Sequence, residues 1–366
     1  MDYTNNINYL VTISKIKKKN QDELMKKVLI LLFIMTLVVS AKDYTKHSKT
    51  ISVMNTLVKK HGFKRSYLEK LFSNVKVQKS ALRAFTPRKE QKRRKDTRTP
   101  EQIAKAKRYY NKYGPWERYS RYVVSQKRVD QGVAYIKKHQ KTFNKVEKKY
   151  GVPKEYIAAI LGIETAFGQN VGKYPVFDTL STLAFEKNRR NKFFKNELIK
   201  FIQLSKTENF NPKNVYGSYA GAIGLVQFMP SNYKAYGVDF NHDGRITLQQ
   251  PQDAIASVAN YFVKNGWRKG ELVATRVSYK GKRFRAYKTG YKKAYNRKSL
   301  KGISPKKRWD YNGKVRLIKL NKKKYDELWY GAKNFYVITR YNHSAYYAMS
   351  VHQLAELISE KLKRKV

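Results

Sequence analysis

Over residues 156–168 the chain reads Tyr-Ile-Ala-Ala-Ile-Leu-Gly-Ile-Glu-Thr-Ala-Phe-Gly, so that every neighbour of Glu164 across two helical turns is apolar or small. Pro153, just after the helix stop at Gly151, opens this segment as a helix. A carboxylate in such surroundings is either paired inside a core or lines a cleft. Desolvation raises its pKa, which lets it hold a proton near neutrality and donate it. Taken alone, a buried structural glutamate is the commoner outcome.

Most of the remaining pattern is helical. Thr99-Pro100-Glu101 is a helix start, with Thr as cap and Pro in the first turn. Asp130 can cap one long helix carrying Val133, Ile136, Phe143 and Val146 on a single face, ended by Gly151. Another helix begins near Pro251, buries Ile255, Val258, Ala259 and Phe262, and stops at Gly266. Residues 271–330 hold 20 Lys and Arg against 4 Asp and Glu, with alternating runs such as Lys314–Leu320 that predict strands. Phe335–Thr339 reads as one more strand, followed by a closing helix over about 344–363. The expected fold class is mainly α (α+β). Its expected division is an extension and signal peptide (1–41), a basic surface arm (42–98), a helical core (99–270), a basic β-containing insertion (271–334), and a cleft-closing strand with a C-terminal helix (335–366).

Charge limits the partners. With 79 Lys and Arg against 26 Asp and Glu among 366 residues, the net charge is +53. That favours nucleic acid, an acidic membrane face or an anionic wall polymer. The 41% hydrophobic and 14% aromatic content excludes a wholly disordered basic tail. No cysteine is present, which excludes disulfides, thiol nucleophiles, Cys zinc sites and a lipidated N-terminal Cys. Met25-Lys26-Lys27 precedes 14 uncharged residues, Val28 to Ala41, ending Val39-Ser40-Ala41. This predicts a secretory signal cleaved after Ala41, since spanning a membrane takes about 20 apolar residues. Residues 1–24 then read as an upstream extension, with the signal starting at Met25. Export disfavours a specific nucleic-acid partner.

Phosphate loops, paired-histidine metal helices and serine-nucleophile elbows are absent from the sequence. Gly217–Pro230 is a small-residue stretch whose three glycines permit close backbone approach to a ligand, or tight helix packing. Arg340–Tyr347 gathers aromatics and an amide suited to sugar rings; otherwise it is a strand-to-helix turn capped by Asn342 or Ser344. Asp239-Phe-Asn241-His-Asp243-Gly-Arg245 matches the opening of an EF-hand loop, with Asp239, Asn241, Asp243 and the Arg245 carbonyl as ligands. Gln250 falls where the bidentate Glu belongs, so a weak structural Ca²⁺ site and a metal-free turn both stand open.

In order, GIETAFG (162–168), FDTLSTLAFE (177–186), NRR (188–190), GSYAGAIGLVQFMPSNY (217–233), VDFNHDGRITL (238–248), PQDAIASVANYF (251–262) and FYVITRYNHSAYYAM (335–349) resemble the membrane-bound lytic murein transglycosylase B family, glycoside hydrolase family 103. The resemblance runs from about residue 100 to 360. It implies a lysozyme-like helical catalytic domain and non-hydrolytic cleavage of the MurNAc–GlcNAc bond of peptidoglycan, leaving 1,6-anhydromuramoyl ends. It makes Glu164 the single acid/base, sets Ser218 and Asn342 near the reacting sugar, and lines the cleft with Gln227, Tyr119, Tyr261, Tyr341 and Tyr347. No cofactor is required. The family usually has an acid at position 250 and a different pair where Leu225-Val226 stand here. Arg189-Arg190 match a basic pair that could meet stem-peptide carboxylates. The implied partners are glycan strands and proteins of wall synthesis and remodelling, in the periplasm, with membrane contact through the signal segment alone. The alternatives are a non-catalytic peptidoglycan-binding scaffold on the same fold and a lysozyme-type muramidase that adds water.

Overall fold

The computed structural model describes residues 41–87 and 96–364; the signal-peptide reading over residues 1–40 and the basic run 88–95 lie outside them. The chain runs β1 (Ala41–Lys42), α1 (Ser48–His61), α2 (Arg65–Phe72), β2 (Val75–Lys76) and α3 (Lys79–Phe85), then α4 (Pro100–Lys112), α5 (Pro115–Val123), α6 (Gln126–Lys138), α7 (Gln140–Tyr150) and α8 (Lys154–Thr165). It continues through β3 (Tyr174–Pro175), α9 (Val176–Phe185), α10 (Asn191–Thr207), β4 (Tyr216–Gly217), α11 (Pro230–Tyr236) and α12 (Pro251–Lys264). The strands β5 (Ala274–Tyr279), β6 (Ile303–Pro305), β7 (Arg316–Asn321) and β8 (Asp326–Gly331) precede α13 (Lys333–Tyr341) and α14 (Ala345–Lys363). The fold is mainly helical and lysozyme-like, as expected.

Helix α8 is the centre. Residues 156–162 are all buried, and α6, α7, α12 and α14 pack around it. An element apolar on nearly every side can only be stable when enclosed in this way. Thr99 caps α4 in a full capping box with Gln102, at 3.2 Å and 3.1 Å.

Three expectations are corrected. The surface arm is instead part of the main core: Tyr44, Val53, Met54, Leu57, Leu68 and Phe72 are fully buried, and β1 pairs antiparallel with β2. Its lysines obscured a helical stripe at 53, 54 and 57. The single helix over 130–151 is two, broken at His139, whose φ/ψ of −113°/27° lies outside the helix. Ser125, not Asp130, caps the first by accepting the Arg128 N–H at 3.3 Å, while Asp130 pairs with Lys361 of α14. The break lets α6 pack on α8 and α14 while α7 turns to α12. Finally, 335–339 is not a strand but the middle of helix α13. Asn334 fixes that helix's start, taking the Arg268 N–H at 2.8 Å and donating to the Arg268 and Glu271 carbonyls at 2.8 and 3.0 Å. Burial of Phe335 and Ile338 on one helical face outweighs the β propensity of the run.

Strands β5 to β8 form an antiparallel sheet in the order β6-β5-β8-β7, with its own small core around Trp309, Leu317, Leu328 and Tyr330. The hairpin β7–β8 buttresses the site. The Glu117 carboxylate of α5 takes the N–H of Gly114 at 2.7 Å and of Lys323 at 2.9 Å. Gly114 is required there, because a Cβ would lie 2.4 Å from the Lys322 backbone. Tyr346, in the first turn of α14, donates to Asn321 at 3.0 Å.

Candidate active site

Glu164 sits in the last turn of α8, where the helix is cut short. Ala166 and Phe167 follow it with φ of +50° and +59°, left-handed values that cost side-chain-bearing residues about 1 kcal/mol each. Thr165 locks the cut. Its hydroxyl donates to the Leu225 carbonyl at 3.0 Å and takes the Gly168 N–H at 3.1 Å. The end of α8 is thereby pinned to the loop 217–230, which is irregular and not the packed helix that its small residues allowed. That loop needs Gly172 opposite it, since a Cβ there would meet the Gly217 carbonyl oxygen at 2.1 Å.

Three tyrosines converge on the carboxylate. Tyr347, almost fully buried in α14, donates its hydroxyl to Glu164 Oε1 at 2.6 Å. Tyr341 stacks on Tyr347 at 6.4 Å and donates to the Val226 carbonyl at 2.6 Å. Tyr119, on α5, feels the Glu164 charge. Burial and that charge push all three phenols above their ordinary range. Burial pushes the Glu164 carboxyl itself up to about 7, against the opposing pull of the Tyr347 hydrogen bond. Near neutrality it therefore holds its proton far more firmly than an ordinary glutamate does. No basic side chain pairs with Glu164 among the described residues, so its partner is the neutral Tyr347 hydroxyl.

The other residues singled out in the sequence divide. Gln227, with φ +51°, donates its amide to the Val171 and Gly224 carbonyls at 3.0 Å each, and so serves the loop. Tyr261 is buried and donates to the Arg340 carbonyl at 2.6 Å; it stands behind Tyr341, 4.8 Å between rings, as support for the wall. The Ser218 hydroxyl takes the N–H groups of Ala220 and Ala222 at 3.3 and 3.0 Å. Asn342 is exposed at the end of α13 and Ser344 caps α14, accepting Tyr347 N–H at 3.2 Å. Neither Ser218 nor Asn342 hydrogen-bonds to Glu164. The sequence reading missed Thr165, although a hydroxyl beside a lone carboxylate was visible, and Glu117 and Tyr346, whose partners lie far along the chain.

The acidic loop forms a second cluster. Asp239 takes the N–H of Asp243 at 3.2 Å and of Gly244 at 3.0 Å, and Asp243 takes that of Arg245 at 3.0 Å. The Asn241 amide donates to Asp243 at 2.9 Å and to Gln250 at 2.7 Å. These hydrogen bonds hold the Asp243 carboxyl below its ordinary value. Buried Asp253 closes the loop from beneath through the N–H groups of Phe240 and Thr247, at 2.8 and 2.7 Å.

Residues 46–356 match the Transglycosylase SLT domain family. Membrane-bound lytic murein transglycosylase B of Escherichia coli K12 is 36% identical over 319 residues, 87% of this chain and 84% of its own length. Among solved structures, the Escherichia coli lytic transglycosylase SLT35 in complex with calcium matches at a TM-score of 0.77 and 35% identity, over 87% of this chain and 95% of that one. The same enzyme in complex with bulgecin A matches at 0.76 and 35%, over 87% and 95%.

Proposed function

The chain belongs to the Transglycosylase SLT domain family and is a peptidoglycan-cleaving lytic transglycosylase, and on that premise we propose that Glu164 alone performs both proton transfers of the reaction. The observation that carries this reading is a carboxyl set at the cut end of α8 with the Tyr347 hydroxyl as its one hydrogen-bond partner among the described residues, and burial pushes its pKa up to about 7. A glycosidase that adds water uses two carboxyl groups at a set separation. Glu164 first gives its proton to the oxygen joining N-acetylmuramic acid to N-acetylglucosamine, and that C–O bond breaks. The resulting carboxylate then takes the proton of the muramoyl 6-hydroxyl as its oxygen bonds to C1. Glu164 ends protonated and ready for another turnover. Because the nucleophile belongs to the same sugar, positioning replaces collision, an effect worth several kcal/mol of barrier. Tyr347 holds the carboxyl oriented between the steps, and Tyr119 and Tyr341 give the sugar its walls.

The substrate is the glycan strand, and the chain acts in the periplasm after export. The acidic loop supports a structural role for calcium. Asp239, Asp243, Gln250 and the Arg245 carbonyl supply oxygens around one loop, and Asn241 joins them once its amide is turned. The set fits, but Gln250 gives one neutral oxygen where a bidentate acid would give two. Bound calcium would brace the loop under α12; no proton transfer passes through it.

Digestion of purified murein with product analysis by mass spectrometry tests the reaction. Anhydro ends are expected. Ends heavier by one water would establish a muramidase, and undiminished cleavage by Glu164→Gln would assign the acid elsewhere.

A further inference from the structure

A cavity of about 590 Å³ opens where α1, α10 and α11 meet, and none of its walls belongs to the Glu164 cleft. Lys200 and Lys206 on α10 and Lys234 on α11 face into it, with Phe63 and Leu204 as its apolar floor. Lys206 is fixed in place, donating to the His61 and Gly62 carbonyls at 3.2 and 3.3 Å and lying 5.1 Å from the Phe63 ring centre. Lys200 and Lys234 make no ion pair among the described residues. The one acid in the wall, Glu208, already takes the Ile246 N–H at 2.8 Å. Three lysines against one glutamate leave the cavity cationic, about +2. Its size suits a short ligand end and excludes a folded partner.

We propose that this cavity seats the terminal carboxylate of a peptidoglycan stem peptide, with Lys200 and Lys234 as its charge partners and its small apolar side chains against Phe63 and Leu204. The inference rests on the peptidoglycan reading above and extends it to the peptide part of the polymer. Lys234 stands on α11, which begins at Pro230 directly after the loop that Thr165 pins to the end of α8.

His61 gives this binding a signature. Its Nε2 accepts the Gln203 amide at 2.6 Å, the bond of a neutral imidazole. Burial, followed by Lys200, Lys234, Lys60 and Lys206, holds its pKa below the ordinary value. A carboxylate seated among those lysines offsets their charge and raises the His61 pKa again. Binding therefore takes up protons and weakens as pH rises.

Calorimetric titration of the full chain with a soluble stem tetrapeptide, and with its C-terminal amide, decides the matter. The acid is expected to bind roughly tenfold more tightly than the amide. In Lys200→Met/Lys234→Met that advantage disappears, while anhydro-product formation on peptide-free glycan is unchanged. Proton uptake, read from two buffers of different ionisation heat, disappears in His61→Gln. Equal binding of acid and amide overturns the proposal, as does full binding by the double variant. Inorganic phosphate or a DNA oligonucleotide binding as tightly as the peptide at equal ionic strength also overturns it, in favour of a general anion site. The two readings fail separately: intact peptide binding without anhydro ends breaks the enzymatic one, and anhydro ends without peptide binding break this one.

Discussion

The Glu164 cleft and the loop 239–250 are both gatherings of oxygen chemistry, and they treat a carboxyl group in opposite ways. Glu164 is enclosed by tyrosine rings and a helix end and has one hydrogen-bond donor, so it keeps its proton up to about pH 7. Asp243 stands in solvent, beside the Asn241 amide and the Arg245 N–H, and loses its proton readily. A carboxyl that must move a proton is starved of donors and water. One that must hold a loop or a cation is surrounded by both.

The largest test of this contrast is Glu164→Gln. It should lower the yield of anhydro ends on murein by about 10²–10⁴-fold, the usual worth of a positioned acid/base. Corresponding loss with Asp243→Asn is not expected, since that loop has no part in the chemistry. A second effect of Glu164→Gln concerns stability. The folded carboxyl titrates near 7 and the unfolded one near 4.5. Below pH 4.5 both states are protonated and the glutamate costs nothing. As pH rises through that window the folded state must give up a proton it prefers to keep. Wild type therefore loses up to roughly 3 kcal/mol relative to the glutamine variant by pH 8. Urea unfolding at pH 4 and pH 8 measures this, and a difference that does not grow with pH breaks the environmental account.

Tyr347→Phe sharpens the comparison by starving Glu164 further. The lost hydrogen bond was lowering its pKa, so the alkaline limb of the rate profile should move to higher pH while the maximal rate falls about tenfold. A limb that moves to lower pH would show that Tyr347 stabilises the protonated form.

How much of this was legible in the sequence depended on distance along the chain. The surroundings of Glu164 are its own helix neighbours, so its proton affinity could be read locally. The EF-hand spacing was legible for the same reason. The Tyr347 partner lies 183 residues away and the Thr165–Leu225 bond spans 60, and only the resemblance to a family brought the first of these forward. Phe335–Thr339 shows the converse failure. Local β propensity was real, but Asn334 and the packing of Phe335 decided for a helix, and neither effect is local. The arm over 42–98 was misread because charge concealed a buried stripe; lysine stems cover apolar surface while their ammonium groups reach water.

The smallest effect belongs to the loop. In Gln250→Glu, a third carboxylate would face Asp239 and Asp243, and the Asn241 amide would be drawn toward whichever acid lacks a cation. Without calcium this adds like charge and should lower the melting temperature slightly. With calcium the added acid supplies the bidentate position, and affinity should rise severalfold. At fixed excess calcium a severalfold gain is worth about 1 kcal/mol. In a chain of this size that raises the melting temperature by about 1 °C. The two signs are the point of the test. A carboxyl at position 250, half-buried at the start of α12, is expected to be harmful alone and useful with a cation, whereas the carboxyl at 164 is useful because no cation comes near it. If Gln250→Glu melts at the same temperature with and without calcium, the loop is held by its own hydrogen bonds and the metal plays no part in this chain.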